Sequence, residues 1–224
     1  MDIRHRVAIV TGGASGTGRV IASRLSDLGA TVIVADIADG TDVTTDAGRA
    51  EILDSASRAG GPHILVNNAG GWSPSGLGFP DASPHDWRTA LELNLGAPMA
   101  LTQLCLPIMA RLGGGAVVNI ASEAALGDEP YGSPEYAAAK AGLIRFSTSV
   151  AQTQGVRVNC LVPGWIGLDR AHAQVAALSP AEQAALPPLI PPEEVADAVV
   201  EMIANDALAG KVAVLEGGRP RRLR

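Results

Sequence analysis

A chain of 224 residues with 47% apolar and 18% charged side chains is the size of one domain with a large core, and this composition excludes disorder. A net charge of -6 excludes a nucleic-acid footprint, so the basic end RPRRLR reads as a solvated terminus. Two cysteines, neither in a metal-ligand spacing, read as buried apolar fillers and predict no metal site.

The N-terminus passes from MDIRHR straight into a strand, RVAIVT, with no secretory apolar segment, which predicts a cytoplasmic protein. A glycine loop, GGASGTG, and a helix, GRVIASRLSDLG, follow, the latter ending on Gly29 as a C-cap. Next come the strands ATVIVAD and HILVNNAG, then a helix capped by Ser83 with Pro84 in its first turn, running toward MARLGGG and kinked or broken near Pro98 and Pro107. The strand GAVVNIAS, the helix around EYAAAK and the strand VRVNCLV lead into an Ala- and Pro-rich, partly helical excursion. A last helix, EEVADAVVEMIA, and the strand KVAVLEGG complete the chain. Short apolar runs alternating with helices predict an α/β fold, a doubly wound parallel sheet of six to seven strands with helices on both faces. No run is expected to cross a membrane.

Three features carry chemistry. Glycines at 12, 13, 16 and 18, between a strand and a helix, let backbone N–H groups and the helix N-terminus approach a pyrophosphate; a tight turn without a ligand is the bland alternative. Asp36 ends the second strand, where a carboxylate accepts ribose hydroxyls and repels a 2′-phosphate, favouring NAD over NADP. The following IADGTD would equally suit a turn residue. Tyr136 and Lys140, four apart on a helix, share one face.

In these residues the chain resembles the short-chain dehydrogenase/reductase family. TGGASGTG is similar to its TGxxxGxG cofactor loop, NNAG at 67–70 to a structural and cofactor motif, and YAAAK at 136–140 to its YxxxK pair. Asn94 in LELNL, Ser122 in NIAS and Pro163-Gly164 after VRVNC follow the family's order, so the resemblance covers nearly the whole chain. It implies one Rossmann domain, with 1–111 mainly binding cofactor, 112–224 carrying catalysis and substrate, and a substrate loop over about 165–192.

The resemblance also implies roles. Tyr136 would be the general acid/base, Lys140 its electrostatic tuner and ribose ligand, Ser122 the partner of the substrate oxygen, and Asn94 the anchor of a water. A phenol ordinarily ionises near 10, and the Lys140 ammonium and a positive nicotinamide would favour phenolate. Ser122 as a strand-end hydroxyl and Asn94 as a kink satisfier are the bland readings. Gly12, Ser15, Gly16, Thr17, Gly18, Asp36, Asn68, Ala69, Gly70, Ile120, Tyr136, Lys140, Pro163, Gly164 and Ile166 would hold the cofactor, with Asp42 and Val43 at its adenine. Asn67 would brace strands. A homodimer or homotetramer is implied, and the apolar LTQLCLPIM suits either an interface or core packing.

Departures from the family pattern carry further expectations. Five residues separate Asp36 from Asp42, too few for a crossover helix, which predicts a missing helix, a stunted or absent third strand and an exposed adenine pocket. The loop EAALGDEPYGSPE carries acids that would favour cationic or polyhydroxylated substrates, with Tyr131 a substrate contact. Leu168 stands where the family commonly has a threonine for the nicotinamide amide. His172 reads as an exposed loop residue for want of a visible partner. The expected activity is hydride transfer between NAD(H) and a secondary alcohol or ketone. An NADPH-linked ketoreductase, such as the acyl-carrier-protein type, and a non-catalytic dinucleotide sensor are the alternatives.

Overall fold

The computed structural model describes residues 1–72, 79–127 and 131–224. In chain order the elements are β1 (Val7–Thr11), α1 (Gly16–Asp27), β2 (Thr31–Ala35), α2 (Asp46–Arg58), β3 (Ile64–Asn67), α3 (Pro84–Leu91), α4 (Ala97–Arg111) and β4 (Gly115–Ile120). They continue with α5 (Pro134–Ser149), β5 (Gln152–Thr153), β6 (Val156–Pro163), α6 (Asp169–Ala176), α7 (Pro180–Ala185), α8 (Pro192–Ala204), β7 (Val212–Leu215) and β8 (Arg222–Leu223).

All belong to, or pack on, one sheet in the order β2-β1-β3-β4-β6-β7-β8, parallel from β2 to β7. The six predicted strands are present. Two were not foreseen: β5 pairs antiparallel with β6, and β8 pairs antiparallel with β7. The basic end is therefore not merely a solvated terminus. Arg222 pairs with Glu216 and Arg221 with Glu201, so it closes the sheet edge with ion pairs.

Strand alternation sorts the core onto two faces. Ala8, Val10, Val66 and Val118 meet Ile21 and Leu25 of α1 and Val199 and Met202 of α8. On the other face Val7, Ile9, Leu65 and Val117 meet Ile52 of α2 and Leu101, Cys105 and Met109 of α4. Each such large side chain contributes about 1.5–3 kcal/mol by leaving water. Both cysteines are free and buried, as the sequence suggests.

Between Asp36 and Asp42 only a short 3₁₀ turn, Ile37–Asp39, is formed, and β2 has β1 as its single neighbour in the sheet. The expected loss of the crossover helix and third strand is what the structure has. Ile37 is 70% exposed there.

Helices α3 and α4 join through a π turn, Glu92–Gly96, into one helix over 84–111. Ser83 and Asp86 cap it reciprocally. The expectation of no segment long and apolar enough to cross a membrane needs correction, because this 28-residue helix contains an 18-residue stretch with a mean hydropathy of 1.3. Pro98 and Pro107 do not break the helix: Pro98 lies in the first turn after the π turn, and Pro107 is carried inside α4. Leu101, Thr102, Cys105 and Met109 are nevertheless buried, as in a core helix.

Sheet order reverses on either side of β1, since β2 lies to one side and β3 to the other. The loops after β1 and β3 diverge there and leave a crevice beyond the strand ends.

Candidate active site

That crevice is a cavity of about 660 Å³ reaching from Asp36, Thr41, Asp42 and Val43 at one end to Ser122, Tyr136 and Lys140 at the other. Of the residues expected to bind cofactor or act in catalysis, all but Gly16 and Asn94 line it. Gly16 turns the loop at φ +50°, and a Cβ there would touch a Leu168 methyl at 3.4 Å, so the substrate loop covers it. Asn94 is fully buried behind Gly70 and Gly71.

The glycine loop is cut close. A Cβ on Gly18 would lie 1.9 Å from the Gly12 carbonyl oxygen, and one on Gly12 would lie 2.9 Å from the Ala69 Cα. Thr45, Ser83 and Ser179 cap their helices with side chains, but Ser15 at the start of α1 makes no such bond. First-turn N–H groups of α1 are thus left to face the cavity. Thr11, a residue the sequence reading passed over, fastens β1 to the β3 loop: its hydroxyl accepts the N–H of Asn68 and of Ala69, each at 3.0 Å. Asn68 returns hydrogen bonds from Nδ2 to the carbonyls of Thr11 and Gly12. Asn67 braces strands as anticipated, donating to Asn119 at 2.7 Å and to Thr102 at 3.1 Å.

Asp36 is both a turn residue and a wall of the cavity. One carboxylate oxygen accepts the Ala14 N–H and the other the Ala38 N–H, each at 3.0 Å, so it clamps the glycine loop to the 3₁₀ turn. A second lone pair on each oxygen remains for a ligand. Asp42 is occupied locally, accepting from the Thr44 N–H and hydroxyl. Arg49, unforeseen and buried, donates to the Val43 carbonyl at 2.8 Å and pairs with Asp46.

At the other end, Lys140 is only 3% exposed, and its ammonium donates to the Ile120 carbonyl at 2.8 Å. Burial pulls its pKa down to about 8. The same ammonium lies 5.6 Å from the Tyr136 ring centroid. Burial pushes the Tyr136 phenol up, opposed by its hydrogen bond with Ser122 and by the charge of Arg170, while Tyr131 adds to the rise. Desolvation is the largest influence on the phenol, and any pull of Lys140 and a positive nicotinamide toward phenolate has to work against it.

Asn94 satisfies the helix distortion after all. From inside the π turn its Nδ2 donates to the Ala90 carbonyl of α3 at 2.8 Å and to the Gly71 carbonyl at 2.7 Å, and its Oδ1 accepts from the Gly71 N–H. Pro98, four residues on, has no N–H to offer the Asn94 carbonyl. A Cβ on Gly70 would press on both the Asn94 Oδ1 and the Lys140 Nζ, so these polar atoms meet at one glycine.

The substrate loop folds back over the cavity through an Ile166–Ile190 bridge, followed by α6 and α7. Trp165, Ile166, Leu168, Arg170 and Gln174 join the wall, and Tyr131 joins from the loop before α5. His172 is exposed and stays outside. Of the loop acids, Glu123 turns away against Gly164 into a second cavity of about 290 Å³, where burial raises its pKa; Asp128 and Glu129 lie outside the described residues. Arg170, absent from the sequence reading, stands over the Trp72 ring at 4.0 Å. Neither had a motif to mark it, since the contact joins residues 72 and 170.

A family profile described as enoyl-(acyl carrier protein) reductase matches residues 40–219. A cis-4-hydroxycyclohexanecarboxylate dehydrogenase of Sinomonas cyclohexanicum is 33% identical, covering 96% of each chain. A 4-formylbenzenesulfonate dehydrogenase of Comamonas testosteroni is 32% identical over 98% of this chain and 99% of its own. Among solved structures, a 7α-hydroxysteroid dehydrogenase complexed with NADH and 7-oxo glycochenodeoxycholic acid superposes with a TM-score of 0.84 at 30% identity, covering 100% of this chain and 98% of that one. With this sheet, cavity and full-length similarity, the chain belongs to the short-chain dehydrogenase/reductase family, oxidoreductases that act on hydroxyl and keto groups.

Proposed function

We propose that the protein moves a hydride between NAD(H) and a secondary alcohol or ketone, with Tyr136 as general acid/base. The observation that carries this reading is one cavity with Ser122, Tyr136 and Lys140 at one end and Asp36 at the other. The wall fits a nicotinamide dinucleotide: side-chain-free backbone at Gly12 and Gly18, a helix start without a side-chain cap, and a carboxylate with lone pairs to spare. When bound, that cofactor would supply the hydride donor or acceptor.

The chain's own groups handle the proton. Tyr136, protonated at neutral pH because it is buried, is suited to donate to a carbonyl oxygen held by the Ser122 hydroxyl. In the oxidation direction it must first give its own proton to solvent; the Lys140 ammonium favours the phenolate so formed, which then takes the substrate hydroxyl proton and returns to phenol. The Ile120 carbonyl holds Lys140 in place, and Gly70, where a Cβ would lie 3.1 Å from its Nζ, leaves the ammonium room. Ile166 offers its N–H toward a nicotinamide amide, in the region where Leu168 replaces a hydroxyl side chain.

Asp36 supports NAD over NADP. The cations on the described wall are Lys140 and Arg170, both at the catalytic end, so nothing near Asp36 would welcome a 2′-phosphate. An NADPH-linked ketoreductase is a second reading, favoured by the acyl-carrier-protein wording of the family profile, and Asp36 weighs against it. The relatives' names suggest a ring-bodied substrate: one carries a hydroxyl on a cyclohexane carboxylate, another a formyl group on a benzenesulfonate. We also take the chain as one cytoplasmic unit that self-associates, with Met99 and Leu104 exposed on α4 in support.

The test is nicotinamide absorbance with a panel of alcohols and ketones, using NAD(H) and NADP(H), on wild type and Tyr136→Phe. Turnover with NAD(H) that drops about 10²–10⁴-fold in the variant, with NAD binding kept, is the expected result. A variant as active as wild type would overturn the assignment of Tyr136. Cofactor binding with no turnover on any of the panel would favour a sensor.

A further inference from the structure

The protein is poor in aromatic residues, 3% of the chain, yet both tyrosines and two of the three tryptophans line the catalytic end of this one cavity. Trp72 is the hinge of the group, its ring centroid 6.2 Å from that of Tyr136, edge to face, while Tyr131 stacks on the other contact of Tyr136 at 6.2 Å. Trp72, Tyr131 and Trp165 are each about 40% exposed and line the cavity. Such a rim suits the flat or alicyclic body of a ring better than a flexible chain.

Over the far side of this rim lies a cation. The Arg170 guanidinium sits 4.0 Å from the Trp72 ring centroid, and none of the ion pairs among the described residues uses it. Stacking on an aromatic face fixes the plane of a guanidinium while leaving its N–H fork free at the edge, the geometry that binds carboxylates and other oxyanions in a bidentate way. The only other charge on the described wall near Tyr136 is Lys140, also positive, and Glu123 turns into the second cavity. The acids expected to favour cationic substrates therefore do not act through Glu123.

We propose that Arg170, held over the Trp72 ring, binds an oxyanion, carboxylate or sulfonate, on a ring substrate whose hydroxyl or keto carbon lies at Ser122 and Tyr136. This rests on the oxidoreductase reading and adds to it the charge and the shape of the substrate. Arg170 is exposed, so the attraction is partly screened and weakens with salt.

The experiment compares 4-oxocyclohexanecarboxylate with the uncharged 4-oxocyclohexanecarboxamide, in wild type, Arg170→Gln and Arg170→Lys. Two readouts are used: kcat/KM with NADH, and direct calorimetric binding of cyclohexanecarboxylate against cyclohexanecarboxamide to the NAD-loaded protein. Wild type is expected to prefer the acid at least tenfold, mainly through KM. That ratio should collapse toward one in Arg170→Gln, be partly kept in Arg170→Lys, and shrink in wild type at high salt. A ratio that survives Arg170→Gln, or a wild type indifferent to charge in both readouts, overturns the proposal while leaving the oxidoreductase reading intact. Charge-selective, Arg170-dependent binding without turnover upholds the oxyanion site and counts against hydride transfer to this ring class.

Discussion

The two ends of the cavity are built by different means. At the end proposed to be catalytic the supporting groups are tied by long-range contacts, Lys140 to Ile120, Asn94 to Gly71, Asn67 to Asn119, with Asn119 passing on to Ser147, although Ser122 also accepts a local bond from the Ala124 N–H. At the adenosine end the bonds are mostly to near neighbours, Asp36 to Ala38, Asp42 to Thr44 and Thr45 to Gly48, on an edge strand with one partner. The long-range ties there include Asp36 to Ala14, the Gly12 N–H to the Ala35 carbonyl, and Arg49 to Glu92. On the proposed function a proton is transferred at a fixed atom, which demands a rigid, desolvated setting, whereas an adenosine needs only to be held. Loss of a crossover helix is tolerable at the second place and would not be at the first.

The largest effect that would break this comparison lies where the two ends meet, at the glycine loop. Gly18→Ala sets a methyl 1.9 Å from the Gly12 carbonyl and 2.5 Å from the Asn68 Nδ2, in backbone that cannot yield as a side chain would. Overpacking of this kind costs about 1–3 kcal/mol, which predicts a loss of about ten- to a hundredfold in NAD affinity by calorimetry. Unchanged affinity would mean that the cofactor does not use this cradle.

A smaller effect sharpens the account of the catalytic end. Because burial holds the Tyr136 proton on, oxidation of an alcohol requires a deprotonation that reduction of a ketone does not. At saturating cofactor, kcat/KM for the alcohol should rise about tenfold per pH unit from 6 toward 8 and bend as Lys140 sheds its own proton near 8. The ketone should show a flat profile over the same range. An alcohol profile already flat at pH 6 would show that Lys140 and the cofactor's charge override desolvation.

How far the sequence foretold this follows the same divide. The glycine loop, Asp36 and the Tyr136–Lys140 pair are local patterns at fixed spacing, and all lie on one cavity. The missing third strand was legible because five residues cannot span a crossover. What escaped were contacts between distant residues: Arg170 on Trp72, Arg49 under Val43, and the 84–111 helix kept continuous by a π turn that Asn94 fills. Two-residue strands such as β5 and β8 leave no periodicity to find, and exist because β6 and β7 offer free edges.

The smallest expected effect tests whether the adenosine end is as loosely coupled as its bonds imply. The Asp42 carboxylate accepts two hydrogen bonds, both from Thr44, and reaches no distant element. Asp42→Ala removes a local turn-forming interaction of about 0.5–1.5 kcal/mol without leaving a core donor stranded. Thermal stability should drop by only a few degrees, and the Kd for NAD should rise about two- to threefold if Asp42 merely shapes the turn. Turnover at saturating NAD should be unchanged, because no bond of Asp42 leads to Lys140 or Tyr136. A fall in kcat would contradict the division drawn between the ends: it would require the turn after β2 to be coupled through Asp36 and the glycine loop to the group that moves the proton.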